Sequence, residues 1–319
     1  MFRVTALTAC LALGAWAQDS ALLQPYAYDP KAPLEVLEVS RQPGEGATLV
    51  ELSYASPKGG RVPATLVLPK GKGPFPAVVW GHWHWDNSAY RNRRQFREEA
   101  LLLARSGVAS LLTDSPVARP GYVPDRTPLN EQQFTDLIQQ VVDMRRGVDL
   151  LLSRGAADPH RLAFVGHSYN AAVGAILSGV DRRFKAYVLM AGGLSDEVDL
   201  QAKAYRDYRA KVGPEKFDAF VAAHPWSDPG RYLRHAAPAS VLLQFATRED
   251  FLTPDHVRKY LPFVSEPKAF RLYEAPHALN AQARRDRVAF LARLLGFKPP
   301  RAKDLARVPD LEQPPPPQF

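Results

Sequence analysis

The sequence predicts an α/β fold, with a mostly parallel central sheet, helices on both of its faces and a helical cap inserted late in the chain. Three features predict it. From Pro76 onward, short apolar runs of strand length alternate with helical periodicity, the form taken by buried parallel strands joined by crossover helices. One of those runs passes straight into Gly166-His167-Ser168-Tyr169-Asn170 and then into the small-residue helix start Ala171-Ala172-Val173-Gly174. The segment from Leu194 to Ala237 then breaks the alternation with a charged, helical, Trp- and Pro-containing stretch, which reads as the cap.

Taken in order, the chain opens on Arg3, an apolar run from Val4 to Trp16 and the small-x-small triplet Ala15-Trp16-Ala17. This pattern predicts a secretory signal cleaved after Ala17, an exported protein beginning at Gln18, and a secreted or periplasmic location. Leu7-Thr8-Ala9-Cys10 is similar to a bacterial lipobox, so lipid anchoring at Cys10 is the alternative; against it, the apolar segment before Cys10 is very short and the run continues past it. Cys10 is the only cysteine, so cleavage would leave no thiol and no disulfide and would exclude cysteine catalysis.

Residues 34–39, 47–56 and 61–69 are β-leaning runs separated by Pro/Gly turns, an antiparallel opening to the sheet. Parallel strands are expected at 77–81, 108–113, 162–165, 186–190, 241–245 and 270–273. Phe134, Leu137, Ile138, Val141, Met144, Val148 and Leu151 recur at three- and four-residue steps and predict one long amphipathic helix; another is expected from Leu279 to Leu295. Residues 18–297 read as one domain, and 298–319, with Pro314-Pro315-Pro316-Pro317, as an extended or loose tail. The 46% hydrophobic content is ample for a core, and no stretch after the signal approaches a membrane span. The net charge of +8 is spread along the chain without a nucleic-acid motif, so no nucleic-acid partner is expected. The run Arg91, Arg93, Arg94 and Arg97 reads as a solvated face.

The strand that ends in Gly-His-Ser-Tyr-Asn has the context of a nucleophile elbow, a sharp strand-to-helix turn that thrusts Ser168 out at the carboxyl edge of the sheet. Upstream, Arg61-Val-Pro-Ala-Thr-Leu-Val-Leu-Pro69, Gly73-Pro-Phe-Pro-Ala-Val-Val79 and Leu103-Ala-Arg-Ser-Gly-Val-Ala-Ser-Leu-Leu-Thr-Asp114 give two strands around a Pro/Gly turn and then a helix and strand. With these segments, residues from about Arg61 to Phe297 resemble α/β-hydrolases of the dienelactone hydrolase and acetyl xylan esterase type. The resemblance implies the α/β-hydrolase fold and esterase chemistry on a small-molecule ester, with no cofactor and no metal. Dienelactone hydrolases use a cysteine nucleophile where this sequence has Ser168, so the resemblance does not name a substrate.

The same resemblance implies that His277, on the loop after the last strand, is the general base, and that Asp250, after Val241–Phe245, is the acid that orients it. Glu249 and Asp196 are the alternative acids. The oxyanion hole is expected from the backbone amide of Tyr169 and that of His84 or Trp83; Trp83 departs from the family's glycine, as Asn170 departs from the last glycine of the elbow. His82, Trp85 and, from the cap, Trp226 are expected to line the substrate pocket. The His82-x-His84 spacing is weak support for a metal without a third ligand. A peptidase or thioesterase with the same triad is the rival enzymatic reading. The departures at Trp83 and Asn170 motivate another, a non-catalytic binding protein. The oligomeric state is left open.

Overall fold

A computed structural model of the chain describes residues 20–312 apart from 86–87, 194 and 250–252. The expected signal, Asp250, Leu194 at the start of the cap and the run Pro314–Pro317 lie outside the described residues.

The expected alternation folds into one nine-stranded sheet in the order β1-β2-β3-β5-β4-β6-β7-β8-β9. Strands β1 (Leu37–Pro43), β2 (Ala47–Ala55) and β3 (Arg61–Pro69) form the antiparallel opening. They are followed by β4 (Phe75–Gly81), β5 (Ala109–Thr113), β6 (Ala157–His167), β7 (Phe184–Met190), β8 (Ser240–Arg248) and β9 (Lys268–Pro276). β5 meets β3 antiparallel, and every pairing from β5 to β9 is parallel.

Successive strand residues serve opposite cores, as the two-residue period of a strand requires. Ala77 and Val79 pack on one side with helices α2 (Gln132–Ser153) and α3 (Tyr169–Val180). Val78 and Trp80 pack on the other with α1 (Arg97–Ala104) and α7 (Ala281–Leu295). The buried stripe of α2 includes Val141, Met144, Val148 and Leu151, the residues whose spacing announces it. Asn280 caps α7 by accepting from the Ala283 amide at 3.1 Å, and Gly296 ends it at φ 68°, a left-handed turn that glycine adopts without strain. The first strand begins at Leu37, three residues later than the apolar run suggests, and most of its residues are exposed at the sheet edge.

The cap contains α4 (Lys203–Val212) and α5 (Pro214–Ala222), flanked by the short helices Asp196–Asp199 and Gly230–Leu233. Helix α6 (Pro254–Tyr260) follows β8. Among the described residues no helix is long and apolar enough to cross a membrane.

Two expectations are corrected. The C-terminal segment is not loose as far as residue 312: it forms a helical turn, Ala302–Leu305, and then folds back over α7. A buried guanidinium must find acceptors, and Arg284 finds them there, in the carbonyls of Val308 (2.7 Å) and Pro309 (2.9 Å) and in Asp310 Oδ1 (2.7 Å). The basic run after residue 90 is not simply a solvated face either. Arg93 reaches inward to Asp114 at 2.5 Å and Glu51 at 3.2 Å.

Strand β4 sits between β5 and β6, so the chain leaves it first to one side and then, through α2, to the other. In open α/β sheets ligands bind outside the carboxyl ends of the strands at such a reversal. The loops leaving β4, β6, β8 and β9 at that edge begin with His82, Ser168, Glu249 and His277.

Candidate active site

Ser168 occupies the single residue between β6 and α3, at φ 54° and ψ −114°. This is a strained conformation for a non-glycine residue, and strain of this kind is what a nucleophile elbow carries. The turn is possible because nothing stands in its way. A β-carbon on Gly166 would lie 2.1 Å from the Asn170 carbonyl oxygen, and one on Gly81 would lie 2.5 Å from Asn170 Cβ. Asn170 thus replaces the elbow's last glycine with the space taken from Gly81 on the neighbouring strand. Its buried amide donates to the His82 carbonyl at 2.5 Å and to Ser115 Oγ at 3.0 Å, tying the elbow to the loop after β4.

His277 is the first residue after β9, and its buried imidazole packs against a pair of tryptophans whose rings are 5.7 Å apart. The ring of Trp85 is 4.8 Å away and that of Trp83 is 6.2 Å away and nearly parallel, at 13°. His167, the residue before Ser168, bonds the His277 carbonyl through Nε2 at 2.9 Å. This contact ties the end of β6 to the loop after β9.

Among the described residues, the carboxylate that meets His277 is Glu249. Its oxygens lie 2.8 and 3.0 Å from Nδ1, and both side chains are only 2% exposed. The reason lies in the strand ends: Arg248 and Pro276 are paired residues of β8 and β9, so the next residue of each chain, Glu249 and His277, emerge side by side. Asp250 lies outside the described residues.

Asp196, the other alternative, belongs to the cap. Its amide donates to Asp228 Oδ1 at 3.1 Å, and burial, with the Asp228 carboxylate second, pushes its own carboxyl up to about 7. The folded chain therefore keeps a proton that an unfolded aspartate releases near 3.8, and stability should fall as the pH rises from about 4 towards 7. Burial also raises neighbouring Asp199, which acts in the same direction. Urea unfolding should show a lower midpoint at pH 8 than at pH 5.5, with the difference reduced in Asp196→Asn. An equal pH dependence in the variant would count against this.

Of the oxyanion donors expected, Tyr169 is the first residue of α3, where an amide has no acceptor within its own helix. The Trp83 amide is already committed, donating to Gln95 Oε1 at 2.6 Å. Of the two loop amides expected, that of Trp83 thus already has an acceptor within the protein.

The pocket expectations fare unevenly. Trp85 does pack on the base. His82 is buried with both ring nitrogens engaged, Nδ1 with the Trp83 carbonyl at 2.6 Å and Nε2 with the Ser115 amide at 3.0 Å, and burial pushes its pKa down to about 4. It is therefore a fixed brace of the loop and has no nitrogen to offer a substrate, or a metal shared with His84. Trp226 joins an aromatic cluster with Phe134, His224 and Tyr26, its ring 5.4 Å from that of Phe134.

Gln95 and His167 were not picked out from the sequence. Gln95 stands inside the basic run, and His167 is the variable position of the elbow motif.

No family model matches the sequence and no curated protein aligns with it. Solved structures do match. The acetyl xylan esterase of Paenibacillus sp. R4 superposes with a TM-score of 0.69 at 20% identity, over 92% of this chain and 97% of that one. Acetyl xylan esterase 1 of Thermoanaerobacterium sp. JW/SL YS485 gives 0.70 at 16% identity, over 86% and 93%. An S-formylglutathione hydrolase from Agrobacterium tumefaciens gives 0.61 at 17% identity, over 81% and 99%. With the strand order, the strained strand-to-helix turn and these likenesses together, the chain has the α/β-hydrolase fold.

Proposed function

We propose that the protein is a serine hydrolase of carboxylic esters, exported by its first 17 residues and working through an acyl-enzyme. The observation that carries this reading is the strained Ser168 at the carboxyl edge of the sheet, next in the chain to His167, which bonds the backbone of a histidine whose Nδ1 faces a buried carboxylate. With the Nδ1 proton given to Glu249, His277 keeps the Nε2 lone pair to accept a proton. Ser168 Oγ attacks the ester carbonyl carbon as His277 takes its proton. The tetrahedral oxyanion is held by the amides of Tyr169 and His84. Collapse expels the alcohol, protonated by His277. Water then attacks the acyl-enzyme with the same histidine as base, releasing the acid and restoring Ser168.

Glu249 takes the part that the sequence suggested for Asp250. The fit of Asn170 against Gly81 favours an active enzyme over a binding protein that lost its activity, because the departure from glycine leaves the elbow intact. The similarity to solved esterases favours oxygen esters, and a peptidase remains the comparison to make. A prolyl endopeptidase structure also matches, with a TM-score of 0.59, although only 39% of its length is covered. A panel of acetyl and longer acyl esters, a thioester and aminoacyl anilides tests the reading. Esters should be turned over at least tenfold faster, in kcat/KM, than the anilides; the reverse order would make the protein a peptidase.

A further inference from the structure

The site contains a directed chain of hydrogen bonds that the triad does not use. Gln95, buried just before α1, accepts the Trp83 amide on Oε1 at 2.6 Å, and its Nε2 lies 2.6 Å from His167 Nδ1. His167 Nε2 then meets the carbonyl of His277 at 2.9 Å. A backbone N–H can only donate, so the Gln95 oxygen must face Trp83 and its amino group must face His167. That amino group can only donate, so His167 Nδ1 is an acceptor and the ring proton sits on Nε2, where it donates to His277. Each link fixes the next.

Three members of this chain stand at three strand ends: Trp83 after β4, His167 at the end of β6 and His277 after β9. Trp83 precedes the loop amide assigned to the oxyanion, His167 precedes the nucleophile, and the final carbonyl belongs to the base itself. The His167 ring packs against those of Trp83, at 5.1 Å, and His277, at 5.3 Å, and these two are 6.2 Å from each other, so the three rings form one cluster. Leu311 of the C-terminal segment packs on the Trp83, Trp85 and Ala278 cluster beside it. We propose that Gln95 is a positioning residue for acyl transfer, which through His167 holds the oxyanion loop in register with the backbone of the catalytic histidine. The proposal rests on the triad reading above.

Gln95→Leu cuts the chain at both ends. Misplacement of reacting groups by about 1 Å costs on the order of 10²-fold, so kcat should fall by about that factor with KM within about threefold. Gln95→Glu is more discriminating. Its carboxylate can still accept from Trp83 but cannot donate to Nδ1, so His167 keeps both of its bonds only when it is protonated on both nitrogens. The groups facing His167 are His277, Arg287 on α7 and, paired with Arg287 at 2.8 Å, Glu99 on α1; Glu249 lies behind His277. Burial opposes a charge on His167, with His277 the next contribution. The kcat ratio of Gln95→Glu to wild type should therefore rise from pH 8 to pH 6.

Kinetics are to be normalised to active sites titrated with a fluorophosphonate, which removes misfolded protein from the comparison. A ratio that does not change with pH, or a Gln95→Leu variant with wild-type kcat, would overturn the proposal. Should the leucine variant not fold, long-range proton–nitrogen spectra of the wild type decide the matter: His167 must carry its proton on Nε2, and an Nδ1-protonated ring refutes the chain. The triad reading fails separately, if Ser168→Ala still labels with the fluorophosphonate.

Discussion

Ser168→Ala should lower ester turnover by about 10⁶-fold, the scale of loss when a serine hydrolase gives up its nucleophile. The substitution deletes the one oxygen that bonds to the acyl carbon. Binding and the oxyanion amides would remain, leaving a residual acceleration of about 10³- to 10⁴-fold over the uncatalysed reaction. Stability should hardly change. Ser168 is partly exposed, and alanine accepts the positive φ no worse than serine does. Unfolding free energies of variant and wild type are expected to agree within about 0.5 kcal/mol. Hydrolysis of an activated acetate ester, with urea unfolding of the same samples, checks both statements. Turnover within tenfold of wild type in the folded variant would mean that another group attacks.

Glu249→Gln should be the next most damaging change, at about 10⁴-fold in kcat. A glutamine of the same shape can present its amino group to Nδ1, and the ring then moves its proton to Nε2. That nitrogen must be empty to receive the serine proton, so the loss is of the right tautomer rather than of the fold. Asp250→Asn and Asp196→Asn should stay within about tenfold of wild type by the same comparison. Steady-state kinetics on the three variants distinguish the carboxylates. A severe Asp250→Asn beside a mild Glu249→Gln would return the acid to Asp250.

The choice between those two neighbours shows where reading the sequence stops. The strand run Val241–Phe245 is legible because a buried parallel strand is continuously apolar, but β8 continues to Arg248. Between Ala246 and Arg248 its pairing with β9 slips, and a slip of this kind re-aims every residue beyond it. Which carboxylate meets His277 depends on that irregularity, and no local pattern announces it. The elbow was legible because it is local: strand, turn and helix start lie within ten residues. Gln95 was not, because its partners are 12 and 72 positions away in the chain. It stands among Arg91, Arg93, Arg94 and Arg97, which hide it in an apparently solvated stretch. The C-terminal segment was misread for a related reason. Arg284 holds it through backbone carbonyls, and those leave no mark on the identity of the residues that supply them.

The most direct test of the account is to map the site of covalent modification. The purified protein is treated with a fluorophosphonate, and the digested adduct is located by tandem mass spectrometry. The account predicts one adduct per chain, on Ser168, its formation slowed by about the same factor as turnover in Glu249→Gln. An unmodified Ser168 under conditions that label an active serine esterase, or an adduct on any other residue, would contradict it.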